Sequence, residues 1–68
     1  MTEASKFLIY CMERYRYIKN LPGAEVEELF RKYKVSDYIM EFHESLHCMG
    51  DLAIIEDIDE FLSVRKNI

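Results

Sequence analysis

The chain has no tryptophan, one proline, two glycines and two cysteines in 68 residues. With only Gly23 and Gly50 available, there is no glycine-rich loop to cradle a phosphate. Cys11 and Cys48 lie far apart on predicted helices, and such a pair reads as two reduced, buried thiols serving as small hydrophobes. There is no long apolar run. Phe7 to Met12 is too short for a signal-peptide core or a membrane span, and the N-terminus opens on Glu3 rather than on a basic cluster. A cytoplasmic protein with no membrane association is therefore expected. Repeats, low-complexity tracts and linkers are missing too.

The most informative deficit is of one charge. Between Val35 and Val64 there is no lysine or arginine, while eight acids occur: Asp37, Glu41, Glu44, Asp51, Glu56, Asp57, Asp59 and Glu60. The first 34 residues hold seven bases (Lys6, Arg14, Arg16, Lys19, Arg31, Lys32, Lys34) against five acids. The net charge is −4, with its negative part confined to the second half. Such an asymmetry bears on what the surface attracts, not on the fold.

Hydrophobic residues make up 50% of the chain and aromatics 13%, which is a globular composition. A chain of 68 residues has room for one domain, expected over residues 1–68. Domains of this size bury only about 60% of their unfolded surface. Their single core supplies no more than about 3–5 kcal/mol, so a partner or a dimer is a common supplement.

Helical spacing dominates. Phe7, Leu8, Cys11, Tyr15 and Ile18 form one stripe, predicting a first helix from Thr2 or Ala4 to Lys19 with Thr2 or Ser5 as its cap. Asn20-Leu21-Pro22-Gly23 ends it, and a second helix starts at Pro22 or Gly23. There Val26, Leu29, Phe30 and Tyr33 fall at i, i+3, i+4 and i+7, with Glu25, Glu27 and Glu28 early and Arg31, Lys32 and Lys34 late, as the helix dipole favours. Ser36 is expected to cap a third helix buried through Ile39, Phe42, His43 and Leu46 and stopped by Gly50. In the last segment Ile54, Ile55, Ile58, Phe61 and Leu62 keep helical spacing, which would allow one helix capped by Asp51 and running to Lys66, but Asp57-Ile58-Asp59-Glu60 has the form of a capping box. The expectation is an extended piece from Ala53 to Glu56, then a helix from Ile58 to about Arg65. The predicted fold is all-α: a compact, helix-turn-helix-like bundle of four short helices.

Candidate chemistry is sparse. His43 and His47 share a helical face and could chelate a metal, but no third ligand arrives at a recognised spacing. His43 at the core edge and His47 in solvent near a helix C-terminus account for both. The carboxylates Asp57, Asp59 and Glu60 would need a cleft to become an acid–base pair, and 68 residues leave little room for one. No enzyme and no cofactor are expected. A DNA-binding reading could use Arg14, Arg16, Lys19, Arg31, Lys32 and Lys34, interleaved with Tyr10, Tyr15, Tyr17 and Tyr33. Its candidate recognition helix, Asp37 to Cys48, contains three acids and no lysine or arginine, which opposes contact with phosphates. Recognition of a protein is the better reading. Met12, Met40, Met49, Tyr10, Tyr17 and Tyr38 fall beside or off the stripes, and methionine and tyrosine suit interfaces.

Several short motifs occur in a definite order: Phe7-Leu8-Ile9-Tyr10-Cys11, Leu21 with Gly23-Ala24-Glu25-Val26, Glu28-Leu29-Phe30, Asp37-Tyr38-Ile39, Leu46-His47, and Gly50-Asp51 with Ile54 to Glu60. This order resembles a family of short bacterial proteins known only as a domain of unknown function, number 3791. Members of that family are often encoded beside a larger protein resembling ADP-ribosyltransferase toxins. The resemblance implies an antitoxin-like partner of a toxin-like enzyme, and no catalytic residue. The family pattern often has threonine where this chain has Pro22, which removes a capping hydroxyl and leaves Asn20, Gly23 or water to cap the second helix.

The expected function is a non-enzymatic protein-interaction module that neutralises a toxin-like enzyme by occlusion. The candidate contact residues are Tyr38, Met40, Glu41, Glu44, Glu56, Asp57, Asp59 and Glu60. The alternatives are a DNA-associated regulator, or a nuclease inhibitor acting by acidic mimicry.

Overall fold

A computed structural model describes residues 2–66. It has five helices: α1 (Glu3–Lys19), α2 (Gly23–Lys32), α3 (Val35–Glu41), α4 (His43–Leu46) and α5 (Asp51–Lys66). Among the described residues there is no strand. The all-α expectation holds, with one more helix than the spacing predicts. α1 packs on α2, α3 and α5, and α3 also touches α2, α4 and α5. The radius of gyration, 11.1 Å, matches the roughly 11 Å of a compact chain this long.

Cys11, Tyr15, Val26, Phe30, Val35, Ile39, Leu46, Ile54, Ile55, Ile58 and Leu62 form one buried cluster drawn from every helix. No polar or charged residue is buried with them among the described residues. Phe30 meets Tyr15 edge-on, with ring centroids 5.5 Å apart, and so pins α2 to α1. The stripes predicted for α1 and α2 are the ones buried.

The ends of α1 and α2 are close to expectation. The Thr2 hydroxyl accepts the Ser5 backbone N–H at 3.0 Å, so Thr2 rather than Ser5 is the cap. Asn20 closes α1 in the left-handed conformation, φ 55°, a role asparagine fills more readily than other side-chain-bearing residues. Pro22 precedes α2 with no side-chain cap, and its carbonyl accepts from Val26 at 3.2 Å. The Asn20 side chain does not cap α2; that residue closes α1 instead.

The second half departs from expectation in four ways. Ser36 is not a cap: Lys34 makes the turn at φ 60°, and burial of Val35 draws that residue into α3. The third helix is bent into two at Phe42, which donates to Tyr38 O at 3.0 Å and accepts from Leu46 at 2.9 Å, so hydrogen bonding continues around the corner. α4 ends at Leu46, well before Gly50, which has no positive φ and instead accepts from Ile54 at 3.0 Å as α5 begins. Finally, α5 is one helix, with Ala53 to Glu56 inside it. Burying Ile54, Ile55, Ile58 and Leu62 on one face outweighs the capping-box pattern at Asp57. Cys11 is buried as expected, but Cys48 lies past the shortened α4, is exposed, and donates its thiol to Glu44 O at 3.4 Å.

Candidate functional site

The three aspartates of α5 are each clasped by a tyrosine from another helix. Tyr10 of α1 donates its hydroxyl to Asp51. Tyr15 of α1 donates to Asp59 at 2.9 Å, and Tyr38 of α3 donates to Asp57 at 2.6 Å. Bases of α1 join two of them. Lys19 Nζ lies 2.5 Å from Asp59, while Arg14 Nε sits 3.1 Å from Asp51 in an ion pair not aligned as a hydrogen bond. Asp57 and Asp59 are two residues apart and so point to opposite flanks of α5, one toward α3 and one toward α1. Neither is a helix cap.

These bonds hold the phenols protonated. Burial first, then Asp59, pushes Tyr15 well above the ordinary tyrosine range. The bond to Asp57 is the main cause lifting Tyr38 to about 12. Burial, with a smaller push from the Asp51 charge, lifts the Cys11 thiol to about 12. A folded-state value above the unfolded one means that the native state binds more protons between the two. The stability this represents is whole below the unfolded values and is lost as pH rises through the folded ones. Urea midpoints followed by circular dichroism should therefore stay level up to about pH 9 and fall from there toward pH 12. A level midpoint across that window would show that these groups are not held as described.

On the α3 side the same tyrosine anchors an open groove. Tyr38 stacks on Phe61 with centroids 4.3 Å apart and planes at 21°, and Phe42 leans on Tyr38 at 5.3 Å. The Arg65 guanidinium carbon lies 4.6 Å from the Phe61 ring centroid. A depression of about 300 Å³ is lined by Tyr38, Asp57, Glu60, Phe61, Val64 and Arg65. Two large apolar side chains beside it face water: Val64 is 61% and Phe42 46% exposed.

The groove unites only some of the predicted contact residues. Tyr38, Asp57 and Glu60 come together, and Glu41 follows Tyr38 by three residues on the same flank of α3. Met40, two residues from Tyr38, points away. Asp59 is on the far flank with Tyr15 and Lys19, Glu44 belongs to α4, and Glu56 is exposed outside the groove. Phe61, Val64 and Arg65 line the groove and are missed by the sequence reading, while Phe42 flanks it through its contact with Tyr38. Their signal was the spacing of Asp57, Phe61 and Val64 at i, i+4 and i+7.

His43 and His47 are placed as the sequence reading expects, half-buried and exposed. Their rings lie 5.8 Å apart, and both lean on Phe7. Among the described residues no group of three His, Cys, Asp or Glu side chains could hold a metal ion. The proposed phosphate-contacting bases are largely engaged: Arg14 and Lys19 face α5 carboxylates, Arg16 pairs with Glu13 at 4.0 Å and Arg31 with Glu28 at 2.7 Å. Among the described residues no helix is long and apolar enough to cross a membrane.

Residues 6–65 match the family described as protein of unknown function (DUF3791). That match covers more than half of the chain, so the chain belongs to this family. No curated protein and no solved structure matches it.

Proposed function

We propose that this member of the family is a non-enzymatic interaction module whose α3–α5 face docks on a partner protein and neutralises it by occlusion. The observation that carries this reading is the groove itself. It offers an aromatic stack and a largely exposed valine beside Glu60 and Asp57. Interfaces concentrate aromatic side chains at an apolar centre and charges at the rim. The acidic rim suits a basic partner surface and would speed encounter. The partner proposed is a toxin-like enzyme encoded next to the chain in bacteria, with the chain acting as its antitoxin in the cytoplasm. A DNA-associated role has less support, because α3 exposes Asp37 and Glu41 and contains no base.

Co-expression with the neighbouring gene product tests this. The two proteins should co-purify, and the chain should relieve the neighbour's toxicity. Val64→Asp and Glu60→Arg alter exposed side chains, so these variants should stay folded yet lose the partner. If the proteins neither co-purify nor affect one another's toxicity, the reading fails. Steeply salt-dependent binding to duplex DNA would favour a regulator instead.

A further inference from the structure

The groove already holds one side chain of the kind it suits. Arg65 lies over Phe61, on the aromatic stack that Tyr38 continues on α3. An aromatic face attracts a cation, and a planar guanidinium can stack on the ring while its N–H groups reach carboxylates. Asp57 and Glu60 line the same depression. Asp57 accepts from Tyr38 through one oxygen, and a carboxylate has lone pairs to spare for further donors. Glu60 is exposed and, among the described residues, pairs with no base. Arg65 likewise pairs with no carboxylate among the described residues, and it rests on the Phe61 ring without a salt bridge to fix it there.

We infer that the α3–α5 groove takes an arginine side chain from a basic segment of the partner protein, laid on Phe61 in place of Arg65 and met by Glu60 and Asp57. This rests on the docking reading above and adds the chemistry of the anchor. Arg65 is then an internal stand-in that the partner displaces. Once it swings out, the depression keeps two carboxylates and the phenyl face, and its charge becomes complementary to a basic segment. A volume of about 300 Å³ is at the lower bound of ordinary ligand pockets, about 300–1,000 Å³, which suits one inserted side chain. Arginine is favoured over lysine because the ammonium group can neither stack flat nor bind a carboxylate in bidentate fashion.

The test uses the full chain, isotopically labelled for NMR, and two short helical peptides. One carries arginines at i and i+4, and the other has citrulline in their place, which keeps the shape and removes the charge. The arginine peptide should shift the resonances of Tyr38, Phe61 and Val64, and the citrulline peptide should not. Glu60→Arg should weaken binding by about tenfold or more, whereas Arg65→Ala should tighten it several-fold by removing the competitor. Both positions are exposed, and circular dichroism checks that each variant is folded. Equal binding of the citrulline peptide, or an Arg65→Ala variant that binds no more tightly, overturns the arginine anchor while leaving the docking face in place. If neither peptide nor the co-purified neighbour perturbs α3 or α5, the docking face falls and the anchor with it.

Discussion

Phe30→Ala is expected to leave the chain without a cooperative unfolding transition at room temperature. Phe30 is 0% exposed and is the largest fully buried side chain. It joins α2 to α1 through its edge contact with Tyr15 and lies in the one cluster that every helix shares. Truncating a buried phenylalanine costs about 3–5 kcal/mol, part of it from the cavity left behind. A core of this size supplies about 3–5 kcal/mol in all. The two are comparable, so the variant should show weak helical circular dichroism and a sloping urea curve with no midpoint. Phe30→Leu keeps most of the volume and should lose about 1.5 kcal/mol or less, retaining a transition. A sharp, near-native transition for Phe30→Ala would mean that the helices are held together by something other than this core.

Asp59→Ala should cost about 1–3 kcal/mol, and Glu60→Ala, one residue along, less than about 0.5 kcal/mol. The two acids are chemically similar and adjacent, so net charge cannot separate them. Asp59 accepts the hydroxyl of Tyr15, a residue only 5% exposed. Its loss strands a polar group at the edge of the core. The ion pair with Lys19 adds little, since both side chains are 37% exposed and salt screens them. Glu60 has no such contact and faces the groove rim. For a domain of this length each kcal/mol moves the melting temperature by about 4–8 °C. Thermal melts of the two variants side by side should therefore differ plainly. Equal melting temperatures would remove the distinction between aspartates that hold the fold and glutamates that remain available to a partner.

That distinction was hidden in the sequence, and the reason is physical. α1 and α2 were legible because their signals are local. Val26, Leu29, Phe30 and Tyr33 recur within one helix, and the charges at its ends agree with its dipole. The clasps are not local: Tyr15 and Asp59 are 44 positions apart, and Tyr10 and Asp51 are 41 apart. Without them, Asp57 and Glu60 resemble a helix start, and the capping-box pattern masked the continuity of α5. The corner at Phe42 has neither glycine nor proline to announce it. It also swings Phe42 out of the core and onto Tyr38, so a residue read as buried is 46% exposed and flanks the stack beside the groove. Phe61 belongs to the helical apolar spacing of α5. What spacing alone did not reveal is that its ring stacks on Tyr38 at the surface rather than filling the centre. The functional surface lies where these hidden contacts meet. Tyr38 is both the clasp of Asp57 and the middle of the aromatic stack.

The acidic stretch of the second half thus divides by position and contact, with Asp37 on α3 exposed like the glutamates. Its aspartates on α5 reach neighbouring helices and fasten them, while Glu41, Glu44, Glu56 and Glu60 pair with no base among the described residues. A double-mutant cycle on Tyr15→Phe and Asp59→Ala, with stabilities from urea unfolding, tests this most directly. A coupling of about 1 kcal/mol or more is predicted, as for a hydrogen bond to a charged acceptor. Additive effects, within about 0.5 kcal/mol, would contradict the account and return Asp59 to the set of free surface charges.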